Sequence, residues 1–163
     1  MYKTNISKNE YIEYLVEKYA DMVYRLALSR TRNKENSEDV FQEVFLRISK
    51  KLPDFESEEH EKAWLIKVTI NCSKNIINSK WNRVVDILEH DLKQEEIQMD
   101  EIYYDVLRLP QKYRTVIHLF YYENLPIKEI SNILNTKETT VKTWLSRGRQ
   151  WLKNILEGGI GDD

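Results

Sequence analysis

The chain has 163 residues, 41% of them hydrophobic, with only four Gly and three Pro, so it is long enough for one domain or two small ones and short of the breakers that strand-rich folds need. Its formal net charge of -2 argues against a uniformly basic nucleic-acid binder. No apolar run reaches membrane-spanning length, the first residues lack the apolar block of a secretory signal, and the lone Cys72 allows no internal disulfide; the expectation is a cytoplasmic, all-α protein with Cys72 in a core.

Leu15, Tyr19, Met22 and Leu26 recur at helical spacing and predict a first helix from about Glu10 to Thr31. A polar turn, Asn33 to Asn36, follows. Ser37 then reads as the cap of a second helix, with Glu38 and Asp39 near its positive end. Phe41, Val44, Phe45 and Ile48 form the apolar face of that helix, which stops before Pro53. Asp54 to Glu59 is an acidic loop. A third helix starts near Glu59 or His60, turns Leu65, Val68, Cys72 and Ile76 inward and ends near Trp81.

The charge then shifts. From Val85 to Asp105 there are eight acids and one Lys, whereas Pro110 to Leu156 holds eight Lys/Arg and three acids. The pattern predicts two small helical domains, residues 1–84 and 102–163, joined by an acidic linker over 85–101. The stretch Asp86 to Asp100 is ambiguous between loop and short helical turns. Ile102, Val106 and Leu109 open the second domain, Pro110 interrupts, and Gln111 to Tyr122 reads as one helix with Val116, Leu119 and Phe120 inward. The glycine-rich end, Gly158 to Gly161, is an expected frayed tail.

The segment Leu125 to Leu152 is the most specific. Pro126 sits where a first helical residue belongs, Ile127, Ile130, Ile133 and Leu134 share one face, and small Ser131 allows a close crossing. Asn135 stands where the chain must turn through the left-handed region. The next helix turns Val141, Leu145, Gly148 and Leu152 inward and shows Lys142, Thr143, Ser146, Arg147 and Arg149 outward. Two helices about a tight turn, the second with hydroxyls and cations outside, form a helix-turn-helix whose outer face suits phosphates and base edges. A helical hairpin with a merely solvated basic face would share the charges but not the turn chemistry.

Four stretches in register, Asp39-Val40-Phe41-Gln42-Glu43-Val44-Phe45, Ala63-Trp64-Leu65-Ile66-Lys67-Val68-Thr69-Ile70-Asn71, Leu109-Pro110-Gln111-Lys112-Tyr113-Arg114 and Thr140-Val141-Lys142, resemble bacterial sigma factors of the extracytoplasmic-function (ECF) group, which keep conserved regions 2 and 4. The resemblance covers about Tyr11 to Trp81 and Tyr104 to Ile155. It implies binding to core RNA polymerase and promoter DNA, help in opening the duplex, and control by an anti-sigma factor, often membrane-anchored. It assigns Asp39, Gln42 and Glu43 to polymerase docking. Their i, i+3, i+4 spacing puts these three on one helix face. It assigns the third helix to the −10 element, where Lys67, Asn71, Lys74, Asn75 and Asn78 lie on a common polar side. The preceding loop, Leu52 to Glu61, matches one that receives a flipped-out base, with Phe55 and Trp64 as candidate aromatics; Trp64 reads more as core. The −35 reader maps onto Lys142, Thr143, Trp144, Ser146, Arg147 and Arg149. Trp144 departs from the family's common Arg and cannot make a guanine fork, and Asn135 replaces a common Gly.

Two other classes compete. A stand-alone helix-turn-helix regulator would bind duplex tightly without polymerase, usually at a palindrome, and would leave the Asp39 to Phe45 segment and the Asn/Lys face unexplained. An enzyme finds little support. His60, His90 and His118 have no Cys or His at metal-ligand spacing, and no glycine-rich phosphate loop or nucleophile–base pattern occurs. No metal, cofactor or small-molecule substrate is implied.

Overall fold

The computed structural model describes residues 3, 5–80 and 100–158. The chain divides into two compact units, with the division after Asp86. Among the described residues every regular element is helical. The first unit holds α1 (Lys8–Thr31), α2 (Lys34–Lys50) and α3 (Glu58–Lys80). The second holds α4 (Glu101–Val106), α5 (Gln111–Ile117), a π-helical turn (His118–Tyr122), α6 (Ile127–Leu134) and α7 (Glu138–Leu156). Most of the expected linker, and Trp81 with it, lies outside the described residues. Its last two acids are structural: Asp100 caps α4 by accepting from Tyr103 N at 2.8 Å, and Glu101 opens the helix.

In the first unit α1 begins at Ser7, whose side chain accepts from Glu10 N at 3.2 Å. It ends at Arg32, which turns through the left-handed region (φ 52°, ψ 32°) and donates its N–H to Leu28 O at 2.8 Å. The next helix starts earlier than the sequence predicts. Asn33, not Ser37, is the cap, accepting from Asn36 N at 2.9 Å. Asn caps as well as Ser does and comes first, so the helix nucleates there. Ser37 is instead buried inside α2, with its hydroxyl donating to Asn33 O at 2.6 Å and lying 2.8 Å from Thr31 Oγ1.

The core of this unit stacks Tyr11, Leu15, Tyr19, Val23 and Ala27 of α1 on Val40, Val44 and Ile48 of α2 and Leu65 and Cys72 of α3. Val40 is fully buried on α2, as are Val44 and Ile48. Phe41 and Phe45 sit half-buried beside it, with ring centroids 4.8 Å apart. At about 25 cal/mol per Å² of apolar surface removed from water, each fully covered aliphatic side chain contributes roughly 1.5–3 kcal/mol.

In the second unit Val106 and Leu109 are buried as expected, but Ile102 is 52% exposed. α4 is too short to wrap both of its edges around the core. The predicted single helix from Gln111 to Tyr122 changes pitch after Ile117. Its last turn is π-helical, closed by Glu123 N donating to His118 O at 3.2 Å. This wider turn leaves Phe120 half-buried and places His118 and Leu119 inside. Gly158 follows α7 at φ 83°; the remainder of the glycine-rich tail lies outside the described residues.

Candidate nucleic-acid interface

The helix-turn-helix is built by turn chemistry. Pro126 precedes α6 in extended geometry (φ -68°, ψ 156°), one position earlier than expected, and Ile127 begins the helix. Asn135 occupies the left-handed region at φ 52°, ψ 50°. The turn then closes twice on Ser131. Thr136 N donates to Ser131 O at 3.0 Å, and the Ser131 hydroxyl donates to Thr136 O at 2.5 Å. Ser131 therefore holds the turn as well as leaving room for it, which its size alone does not reveal.

The second helix of the motif, α7, is anchored by Val141, Leu145, Gly148 and Ile155. Gly148 lets it pass close to α5: a Cβ there would stand 2.8 Å from Ile117 Cγ1 and 3.2 Å from Ile117 Cδ1. Lys142, Thr143, Ser146 and Arg147 are exposed. Trp144 is half-buried on one shoulder of the helix. Arg149 is on the other flank, about 120° around from Thr143 at 3.6 residues per turn. Its Nε donates to Tyr121 OH at 2.6 Å, and its guanidinium lies 5.6 Å from the Tyr121 ring and 6.0 Å from that of Phe120. The six −35 candidates thus divide into three on the outward stripe, Thr143, Ser146 and Arg147, and three beside it, with Trp144 on one shoulder and Lys142 and Arg149 on the other. Thr139 and Gln150 share that stripe and are exposed. Counting helical turns from Thr143 in both directions finds them.

Elsewhere in this unit a polar chain is buried. Tyr103 OH pairs with His118 Nδ1, and His118 Nε2 faces Glu123 Oε2 at 3.2 Å. Tyr122 packs against both rings, and burial, with the Asp100 carboxylate second, pushes its phenol up to about 12.

In the first unit Lys67, Asn71, Lys74, Asn75 and Asn78 are all exposed along α3, with Thr69, Ile70, Cys72 and Ser73 buried on the other side. The loop before α3 departs from expectation. Phe55 is fully buried, 6.4 Å from Tyr11, 5.6 Å from Trp64 and 5.3 Å from His60 between ring centroids, so it is a core residue here and no open platform for a base. Its burial removes the largest apolar side chain of the loop from water, which outweighs leaving it poised outside. Trp64 is half-buried against it.

Ser57, unnoticed in the sequence, caps α3 by accepting from His60 N at 3.1 Å, and Glu56 N donates to His60 Nδ1 at 3.1 Å. Glu61 is the deepest acid of the unit, accepting from the hydroxyls of Tyr11 and Tyr19. Arg30, whose Nε donates to Ser73 Oγ at 3.0 Å, is held down at about 10 by burial. Burial likewise raises the Cys72 thiol above its ordinary value.

On α2, Gln42 is exposed, and Asp39 and Glu43 are half-buried. Glu43 pairs with Arg47 Nε at 3.2 Å. Leu46, one turn further along the same face, is 48% exposed. An exposed leucine beside polar neighbours is a signal that counting i, i+3, i+4, i+7 from Asp39 recovers. Among the described residues no group of three or more His, Cys, Asp or Glu is placed to hold a metal ion, and no helix is long and apolar enough to cross a membrane.

Residues 15–83 match the family described as sigma-70 region 2, and residues 102–152 match sigma-70 region 4. The chain is 29% identical over 166 residues to the ECF RNA polymerase sigma factor SigM of Bacillus subtilis, covering 93% of this chain and 99% of that one. It is 30% identical over 162 residues to SigW of the same organism, covering 87% of each. Among solved structures, the sigma factor RpoE of Bartonella quintana, co-crystallised with the anti-sigma factor NepR, superposes with a TM-score of 0.71. That match has 16% identity over 89% of this chain and 96% of that one, a likeness of fold.

Proposed function

Because the chain belongs to the sigma-70 family, within its extracytoplasmic-function group, we propose that it is an initiation factor that binds core RNA polymerase in the cytoplasm, brings it to specific promoters and assists opening of the duplex. The observation that carries this reading is the pairing, in one chain, of two polar helix faces of different chemistry. The face of α7 offers hydroxyls and cations on a helix-turn-helix, which suits the major groove of a duplex. The face of α3 offers asparagine amides between lysines, which suits base edges and backbone of opened DNA.

In this reading residues 1–84 dock on polymerase through Asp39, Gln42 and Glu43 and read the −10 element through Lys67, Asn71, Lys74, Asn75 and Asn78. Residues 102–163 read the −35 element, with Thr143, Ser146 and Arg147 facing the groove, Trp144 on one shoulder and Lys142 and Arg149 on the other. Residues 85–101 join the two. The protein makes and breaks no covalent bond; the polymerase does the chemistry. The overall charge of -2 fits weak affinity for DNA alone, since the electrostatic part of DNA binding grows with the number of phosphates neutralised. The NepR-bound relative supports an anti-sigma factor as the controlling partner.

Run-off transcription on fragmented genomic DNA, with core polymerase and with or without this protein, tests the reading. Discrete new start sites sharing −35 and −10 elements are the expected result. Tight duplex binding by the protein alone, with no association with polymerase and no new transcripts, would replace it with a stand-alone regulator.

A further inference from the structure

α7 carries a tryptophan where its polar face begins to turn inward. On the outer side Trp144 stands one turn after Thr140 and one turn before Arg147. On the inner side it stands between Val141 and Gly148, both buried. Trp144 itself is half-buried. Among the described residues its indole N–H meets no acceptor, and it is not one of the buried polar atoms sealed from solvent. A tryptophan held by its apolar edge ordinarily gives its N–H a partner, so this donor is poised for one outside the chain.

Trp144 and Lys142 lie about 100° to either side of Thr143, which stands in the outward stripe. A helix with its side chains is about 10–12 Å across, and the major groove of B-DNA is about 12 Å wide. A helix that turns this stripe to the base edges therefore brings its two shoulders against the two sugar–phosphate walls. One shoulder meets its wall with Lys142, which is exposed and in no ion pair among the described residues. The other meets its wall with Trp144. Indole has one N–H donor and no acceptor, so it makes no two-bond contact with a base edge, but a single donor suits a phosphate oxygen. We propose that Trp144 is a neutral phosphate clamp. Its N–H donates to a phosphate on the strand opposite the one that Lys142 meets, and its ring lies on the adjoining deoxyribose. This rests on the −35 reading of α7 above and adds to it a strand, a contact atom and a salt dependence. A lysine that neutralises a phosphate releases a counterion, so its contact weakens as salt rises; a neutral N–H releases none, so its contact persists.

Binding of full-length protein in complex with core polymerase to a promoter duplex, taken from the run-off start sites and measured across a range of salt concentrations, tests the proposal. The variants are Trp144→Phe, which keeps a ring on the packed side and removes the N–H, Trp144→Arg, Lys142→Ala and Arg147→Ala. Thermal unfolding of each verifies the fold. Trp144→Phe should bind about tenfold more weakly at every salt concentration, with the slope of log affinity against log salt unchanged. Lys142→Ala should lose about one unit of that slope, and Trp144→Arg should gain about one. Wild-type affinity in Trp144→Phe, with weakened binding in Arg147→Ala, overturns the clamp and leaves the −35 reading standing. Wild-type affinity in both overturns both. A loss in Trp144→Phe that vanishes when a single −35 base pair is changed assigns Trp144 to a base and overturns the clamp. Where Trp144→Phe fails to fold, Trp144→Arg decides: a wild-type slope means that position 144 reaches no phosphate, and the proposal falls.

Discussion

The two units each present a polar helix face but hold it by different means. In the second unit the turn that leads into α7 is held by residues close in sequence: Asn135 in the left-handed region, the double closure between Ser131 and Thr136, and Asn124 at φ 56° before α6. In the first unit the supports of α3 come from far away. Tyr11 and Tyr19 meet Glu61 across 50 and 42 residues, Arg30 meets Ser73 across 43, and Lys18 meets Glu58 across 40. A face fixed by turns tolerates change elsewhere and fails when the turn fails. A face fixed by buried polar ties fails when one distant partner is lost.

The largest effect expected from that contrast is at Glu61. Glu61→Ala removes the carboxylate that accepts from two buried tyrosine hydroxyls and leaves a cavity, at a cost of about 3 kcal/mol. Cys72 supplies a local probe. Its thiol is buried and its ionisation is opposed by that burial, so labelling requires the first unit to open. Glu61→Ala should accelerate Cys72 labelling by a thiol reagent in native buffer by about a hundredfold. Wild-type labelling kinetics would mean that the carboxylate is not what ties α3 to α1.

Next is the crossing of α7 over α5. Gly148→Ala should gain up to about 1 kcal/mol of helix propensity, yet the new methyl must displace Ile117 atoms only 2.8 Å and 3.2 Å away. Overpacking of this sort costs roughly 1–3 kcal/mol, so a net loss near 1–2 kcal/mol is expected in urea unfolding. Adding Ile117→Val removes the Cδ1 atom and should restore part of it. A stabilised Gly148→Ala variant would show that the crossing is looser than this packing.

How legible each unit was in the sequence follows from the same contrast. Pro126, Asn135, Gly148 and the Thr143 to Arg147 stripe are local signals, and the helix-turn-helix emerged from them nearly as folded. The α3 face was equally readable as a polar side at three- and four-residue spacings. Glu61 was not, because an acid in the first turn of a helix is ordinarily solvated there and only Tyr11 and Tyr19 make it a core residue. Phe55 was misread as a poised aromatic for the related reason that its partners, Tyr11 and Trp64, come from other elements. Ser37 lost its cap role to Asn33 because two competent caps stand four residues apart, and periodicity does not choose between them. Within the second unit the π-helical turn was the main surprise. It answers the burial of His118 between Tyr103 and Glu123, a tertiary demand on a stretch whose apolar spacing suits an ordinary helix.

A smaller effect is expected at the turn itself. Asn135→Ala should cost about 1 kcal/mol, the penalty of a Cβ without a compensating amide in the left-handed region, and Asn135→Gly should be neutral or slightly stabilising. Thermal unfolding of the two variants distinguishes this from a role for the Asn side chain in DNA contact. Such a role would weaken promoter binding equally in both variants, whatever their stability.

The smallest change in DNA affinity is expected at Arg149, which sharpens the assignment of α7. Arg147 stands on the outward stripe with Thr143 and Ser146, so Arg147→Ala should lower affinity for a −35 duplex by about 1–3 kcal/mol within the polymerase complex. Arg149 is equally charged and only two residues away, but its guanidinium is spent on Tyr121 and Phe120. Withdrawing it from two rings and a hydroxyl to reach a phosphate would forfeit a cation–π contact of roughly 0.5–1 kcal/mol and a hydrogen bond of similar worth. Arg149→Ala should therefore change −35 affinity by less than about 0.5 kcal/mol while lowering the stability of the second unit by about 1 kcal/mol. Tyr121→Phe, which keeps the ring and removes the hydroxyl, should reproduce about half of that stability loss. Equal losses of DNA affinity in Arg147→Ala and Arg149→Ala would mean that Arg149 leaves Tyr121 on binding and that the recognition face is wider than the outward stripe.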